Sequence, residues 1–212
     1  MTSKKHEWRK LEKQYYLPKQ KPEVADIPAF KFITVKGEGA PATAYFNDCI
    51  QALYKISYTI KMTLKKRVEV PDGYLDYAVY PLEGIWDLND EAKKNFSGII
   101  DKNDFVYTLM IRQPDFVDEA LFHEMIALVK SKNDLPLIDE LQFEEITDGK
   151  CVQMLHVGSF DSEPASFELM EEFALENGLT RTSKVHREIY LSDFRKVSED
   201  RLKTTLRFKV DE

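Results

Sequence analysis

The segment KVHREIYL, residues 184–191, places an imidazole, a carboxylate and a phenol at every second position. In a strand that spacing puts His186, Glu188 and Tyr190 on one face. Val185, Arg187, Ile189 and Leu191 take the other face. Three of those four are apolar, so this second face is the one expected to meet helices. A carboxylate between an imidazole and a phenol can attract a cation, orient a polar ligand, or exchange a proton with water. Burial would raise its pKa and a nearby donor would lower it. The same carboxylate can instead pair with Lys or Arg on a neighbouring strand, and the pattern leaves both readings open.

Aromatic residues supply the second signal. Trp86 follows PLEG, and FVYTLMI carries Tyr107 and Met110 on opposite faces of a strand. Tyr45 and Tyr58 lie on a helical stretch, and His156 lies on another strand-like run. Trp and Tyr rings give broad apolar surface with one polar handle, and Met adapts to irregular shapes. Beside a carboxylate they would suit a planar hydrophobic or cationic small molecule. Each of these aromatics, taken singly, reads more readily as core than as ligand wall. The four histidines and the two cysteines, Cys49 and Cys151, lack ligand spacing, so neither a metal nor a cofactor is expected. Dinucleotide, phosphate-loop, zinc-protease and nucleophile-elbow motifs are not found.

The elements that must position these residues are written twice. FKFITVKGEG, then a helical stretch from about Ala42 to Lys65, is answered by CVQMLHVGSF and a helix from Ser162–Pro164 to a stop at Gly178. Each copy continues into two strand-like runs. The expected fold is α+β, built from duplicated βαββ units over about 27–115 and 138–210, with a hairpin turn at TDGK in the second. The copies agree in order but not in chemistry. Ala78 stands where Glu188 stands, and Trp86 has no counterpart Trp.

Bulk properties narrow the class. With 212 residues, 43% of them hydrophobic, one core or two small halves can form. No apolar run approaches the roughly 20 residues of a membrane span, and no leader is visible, so a cytoplasmic protein without membrane contact is expected. The net charge is −7, yet residues 1–21 carry seven Lys or Arg against two Glu. This basic arm is expected to pack on the acidic body, residues 22–212, through Trp8, Leu11, Tyr15 and Tyr16. The acidity of that body argues against nucleic acid. A monomer or weak homodimer is expected, since an exposed sheet edge can recruit a second copy.

LYKISYTIK, YAVYPLEGIW, FVYTLMIRQPDFV and HREIYLSDFRK, in this order, resemble the GyrI-like small-molecule-binding proteins, specifically their stand-alone members. The resemblance covers nearly all of the chain after Lys21. It implies an SHS2-type duplicated βαββ fold with pseudo-two-fold symmetry and a ligand groove between the halves. It also implies kinship with effector-binding domains of transcription regulators, some of them multidrug binders. The first 21 residues are too short for a helix-turn-helix, so a sensor without DNA-binding output is expected. Some stand-alone relatives detoxify by hydrolysing cyclopropanoid genotoxic compounds. Carried onto this chain, Glu188 would orient or deprotonate water, and Tyr107 or else Tyr190 would steady the developing oxyanion. Trp86 would hold a flat substrate, with Met110, His156, His186, Tyr58 and Tyr45 as further ligand contacts. The alternative is a non-catalytic effector-binding or partner-binding protein.

Overall fold

Two short N-terminal turns form before the first strand, α1 (Trp8–Leu11) and α2 (Lys13–Tyr16). Then follow β1 (Glu23–Glu38), α3 (Ala44–Leu64), β2 (Leu82–Leu88), α4 (Asp90–Lys94), β3 (Phe105–Gln113) and α5 (Glu119–Lys130). The chain ends with β4 (Gln142–Val157), α6 (Glu163–Glu176), β5 (Thr180–Arg181), β6 (His186–Tyr190) and β7 (Lys203–Asp211). This computed structural model describes residues 5–41, 43–95, 100–132 and 135–212. The tip of the basic arm (1–4), Ala42 at the expected helix start, residues 96–99 of the polar link and residues 133–134 lie outside the described residues. The class is α+β, as expected, with antiparallel strand pairing.

The chain divides into two compact units. The first contains residues 30–80 and 88–146 together with the start of the chain. Its β1 pairs with β3, with Gly37 opposite Tyr107. The Tyr107 ring lies where a side chain at Gly37 would sit, 2.4 Å from an ideal Cβ, so that position admits only glycine. Helix α3 starts at Thr43, whose side chain accepts from the Phe46 N–H at 3.2 Å. Its stripe of Phe46, Cys49, Leu53, Ile56 and Ile60 is buried against β3 and α5. Tyr45 falls off this stripe. It is half-exposed, and its hydroxyl donates to Lys36 O and to the Glu140 carboxylate.

The second unit contains residues 8–29, 81–87 and 147–212. Strand β6 runs between β2 and β7. Strand β7 also pairs with β4 and, at its end, with the short β5. Helix α6 covers one face of these strands. Met170 and Ala174 pack on Val152, Met154, Leu206 and Phe208. Gly178 ends the helix with φ +70. The expected hairpin at TDGK is absent, because β4 continues unbroken from Gln142 to Val157. Gly149 absorbs the turn signal with φ +69 inside the strand, while Asp148 is drawn inward by two arginines.

Residues 8–21 of the basic arm pack in this unit. Trp8 and Tyr16 are buried with ring centroids 5.1 Å apart. The carbonyls of Gln14, Tyr16 and Lys19 accept from Gln153, Thr205 and Leu155. Leu11, expected to pack, points outward at 60% exposure. Among the described residues no helix is long and apolar enough to cross a membrane.

Candidate functional site

Strand β6 carries different chemistry on its two faces, and its neighbours explain why. Register places Glu83 opposite Ile189 and Ile85 opposite Arg187 on β2, with Arg207 of β7 also opposite Arg187. On this face Arg187 donates to Glu83 at 2.8 Å and to Asp148 at 2.9 Å. Arg207 joins Asp148 at 3.4 Å and donates to Gln153 at 2.9 Å. Burial pushes the Asp148 carboxyl up, but Arg187 and Arg207 outweigh it and hold the group below its ordinary value. Burial dominates at Glu83, which stays raised against the pull of the same arginines. This face was expected to be apolar and to meet helices. It instead encloses an ion network, because register brings carboxylates from two other strands to Arg187.

The opposite face carries the predicted site residues and meets helix α6. Phe167 of α6 packs edge-on against His186 at 4.8 Å. Trp86 pairs with His186 and Gly84 pairs with Glu188 across the β2–β6 ladder. Trp86 Nε1–H donates to the Tyr190 hydroxyl at 2.8 Å, and the Tyr190 O–H donates to Glu188 Oε2 at 2.8 Å. His186 Nε2 stands 3.2 Å from Glu188 Oε1. Tyr190 forms an edge-on cluster with Phe160 and Phe194 at 6.0 and 6.5 Å. Burial and then the charge of Glu188 push the Tyr190 phenol well above its usual pKa, so it stays a donor.

Among the described residues, no Lys or Arg pairs with Glu188. Its remaining neighbour is another acid. Glu163, the first residue of α6, is 5% exposed and lies within hydrogen-bonding reach of Glu188. Burial, then the adjacent Glu188 charge, hold the Glu163 carboxyl well above the usual carboxylate range. The raised value keeps the proton on Glu163 to higher pH than on an ordinary glutamate. Glu163 Oε1 is buried with no hydrogen-bond partner.

Strand and helix geometry thus bring together Trp86, His186, Glu188 and Tyr190. His156 belongs to the same unit, but its ring is engaged elsewhere. Ser166 Oγ lies 2.8 Å from Nδ1, while Ser159 O and Ser162 Oγ lie 3.0 and 3.1 Å from Nε2. That ring ties the end of β4 to the start of α6. Tyr107, Met110, Tyr45 and Tyr58 belong to the first unit. Tyr107 packs edge-on against Phe46 at 5.3 Å, Met110 is fully buried, and Tyr58 is 49% exposed. Glu163 was not anticipated, although a signal existed. Glu163, Ser166, Met170 and Ala174 follow the helical stripe, and all four are buried. Among the described residues no group of three or more His, Cys, Asp or Glu is placed to hold a metal ion.

The family whose pattern matches residues 20–211 is the GyrI-like small molecule binding domain. A hydrolase from Listeria innocua superposes with a TM-score of 0.86 at 34% identity, over 98% of this chain and 100% of that one. An uncharacterized conserved protein from Listeria innocua gives 0.87 at 35% identity with the same coverage. The C-terminal domain of EcmrR shares the fold, with a TM-score of 0.52 at 15% identity over 91% of this chain and 98% of that one. No curated protein matches the chain.

Proposed function

We propose, because the chain belongs to the GyrI-like small molecule binding domain family, that it binds a planar aromatic or cationic small molecule at the Glu188–Trp86–Tyr190 cluster. One observation carries this reading. The second unit holds two kinds of buried acid. Glu83 and Asp148 have arginines, whereas Glu188 has only neutral donors, a histidine and another carboxyl. A buried carboxylate without a cation is costly, and a cationic ligand removes that cost. The Trp86 indole and the Phe160–Tyr190–Phe194 rings supply flat apolar surface beside it.

Hydrolysis is the second reading, favoured by the Listeria hydrolase at 34% identity over the whole chain. On it, Glu188 takes a proton from water as the water oxygen bonds to a strained cyclopropane carbon. The ring C–C bond breaks, and its electron pair moves into the conjugated system of a cyclopropanoid substrate. Tyr190 O–H is already committed to Glu188, so it steadies the base. Protonated Glu163 can turn its proton from Glu188 to the developing oxyanion.

Intrinsic Trp fluorescence, titrated with planar aromatic cations and with a neutral cyclopropanoid, separates these readings. For the cations, Glu188→Gln is expected to weaken binding by roughly 10-fold or more, the scale of a lost buried charge contact. If the protein is a hydrolase, Glu188→Gln keeps neutral-ligand binding and loses product formation. Unchanged cation affinity in Glu188→Gln refutes the binding role, and unchanged turnover refutes the catalytic one.

A further inference from the structure

The Glu163–Glu188 pair carries information about which cations fit. Two acid side chains are neighbours here. Tyr190 donates to Glu188 Oε2, His186 Nε2 lies 3.2 Å from Glu188 Oε1, and one carboxyl proton can bridge the two acids. Glu163 Oε1 is left over, an acceptor buried in a residue only 5% exposed, with no donor on it. An unmet buried acceptor carries its full desolvation cost until a donor arrives. Among the described residues no donor reaches it. The neighbouring α6 residue facing the strand is the apolar Phe167, and Ser166 is turned to His156. The remaining acid nearby, Asp161, acts on Glu163 only as a further negative charge.

We infer that the acid pair selects ligands whose cationic group carries N–H donors, such as amidinium, guanidinium or primary and secondary ammonium, over quaternary cations of the same size. This rests on the binding reading above, with Glu188 facing the positive charge. A quaternary cation balances that charge but has no hydrogen for Glu163 Oε1. An amidinium has parallel N–H groups, so one can meet each carboxyl, a geometry suited to planar forked donors. Flatness also suits the aromatic wall, so one planar ligand can satisfy the acids and the rings together.

The test is calorimetric titration of the full chain with two probes of matched size, 4-phenylbenzamidinium and 4-phenyl-N,N,N-trimethylanilinium. The expected result is amidinium binding at least ~10-fold tighter, the scale of a hydrogen bond to a buried charged group. Glu163→Leu is expected to bring the two affinities within about 3-fold by weakening the amidinium alone. Glu163→Gln keeps a carbonyl acceptor and a donor toward Glu188, so it is expected to keep the preference. Equal affinities in the wild-type protein overturn this inference while leaving the binding reading intact. If neither probe binds, the binding reading fails and the inference falls with it.

Discussion

Glu163 and Asp148 are both buried acids of one unit, yet their neighbours shift them in opposite directions. Asp148 is held down by Arg187 and Arg207, whereas Glu163 is pushed up by burial and by Glu188. The sign of the pH dependence follows. A carboxyl whose folded pKa lies above its unfolded value adds stability that is fully present below the unfolded pKa and is lost as pH rises through the folded pKa. Glu163 therefore weakens the protein progressively above pH ~4.5, its ordinary value. Glu163→Gln removes the charge that burial and Glu188 oppose, so it is expected to raise stability at pH 7–8 by about 1–3 kcal/mol, the scale of burying a polar group without full compensation, and to change it less near pH 4. Urea melts of both proteins across this range check it. A variant less stable at pH 8 than the parent would show that the carboxyl is stabilising there.

At the scale of elements, the alternation of KVHREIYL was legible and the covering of its faces was not. Period two assigned His186, Glu188 and Tyr190 to one side, and the structure keeps them there in contact. Counting apolar residues placed helices on the Arg187 face, which meets the short α2 through Gln153, Thr205 and Arg207, but gave no sign of α6 on the other. A strand's own residues do not report what its neighbours bring. Asp148 and Glu83 arrive from β4 and β2, and only register shows that both point at Arg187. Similarly, Gly84 is unremarkable as a residue and informative as the partner of Glu188. The TDGK signal misled because a glycine with positive φ bends a continuing strand as readily as it reverses one. Arg187→Leu leaves two buried carboxylates with less than their share of positive charge. It is expected to cost about 3–5 kcal/mol in urea unfolding, against a smaller loss for the Arg187→Leu, Glu83→Leu double variant. A double variant that is less stable than the single would contradict the ion-network account.

At the scale of the whole molecule, the ordered set of segments from LYKISYTIK to HREIYLSDFRK was enough to place the chain in its family, which spans residues 20–211. The α+β class was legible from the alternation of strand and helix periods. The packing of the basic arm was legible through Trp8 and Tyr16, which are buried in the second unit. The second acid was missed because Glu163 looks like an ordinary first-turn carboxylate favoured by the helix dipole, although it falls on the stripe of Ser166, Met170 and Ala174. Its burial depends on α6 lying over β6. The account's central claim is that a small molecule binds where Trp86, Tyr190 and Glu188 are linked by hydrogen bonds. The chain has two Trp residues, so an amide–nitrogen correlation spectrum shows two indole N–H signals, assignable with Trp8→Phe. Titration with 4-phenylbenzamidinium is predicted to shift the Trp86 signal in a saturable manner, to leave Trp8 in place, and to do neither in Glu188→Gln. Saturable binding that leaves the Trp86 indole unmoved would contradict the claim.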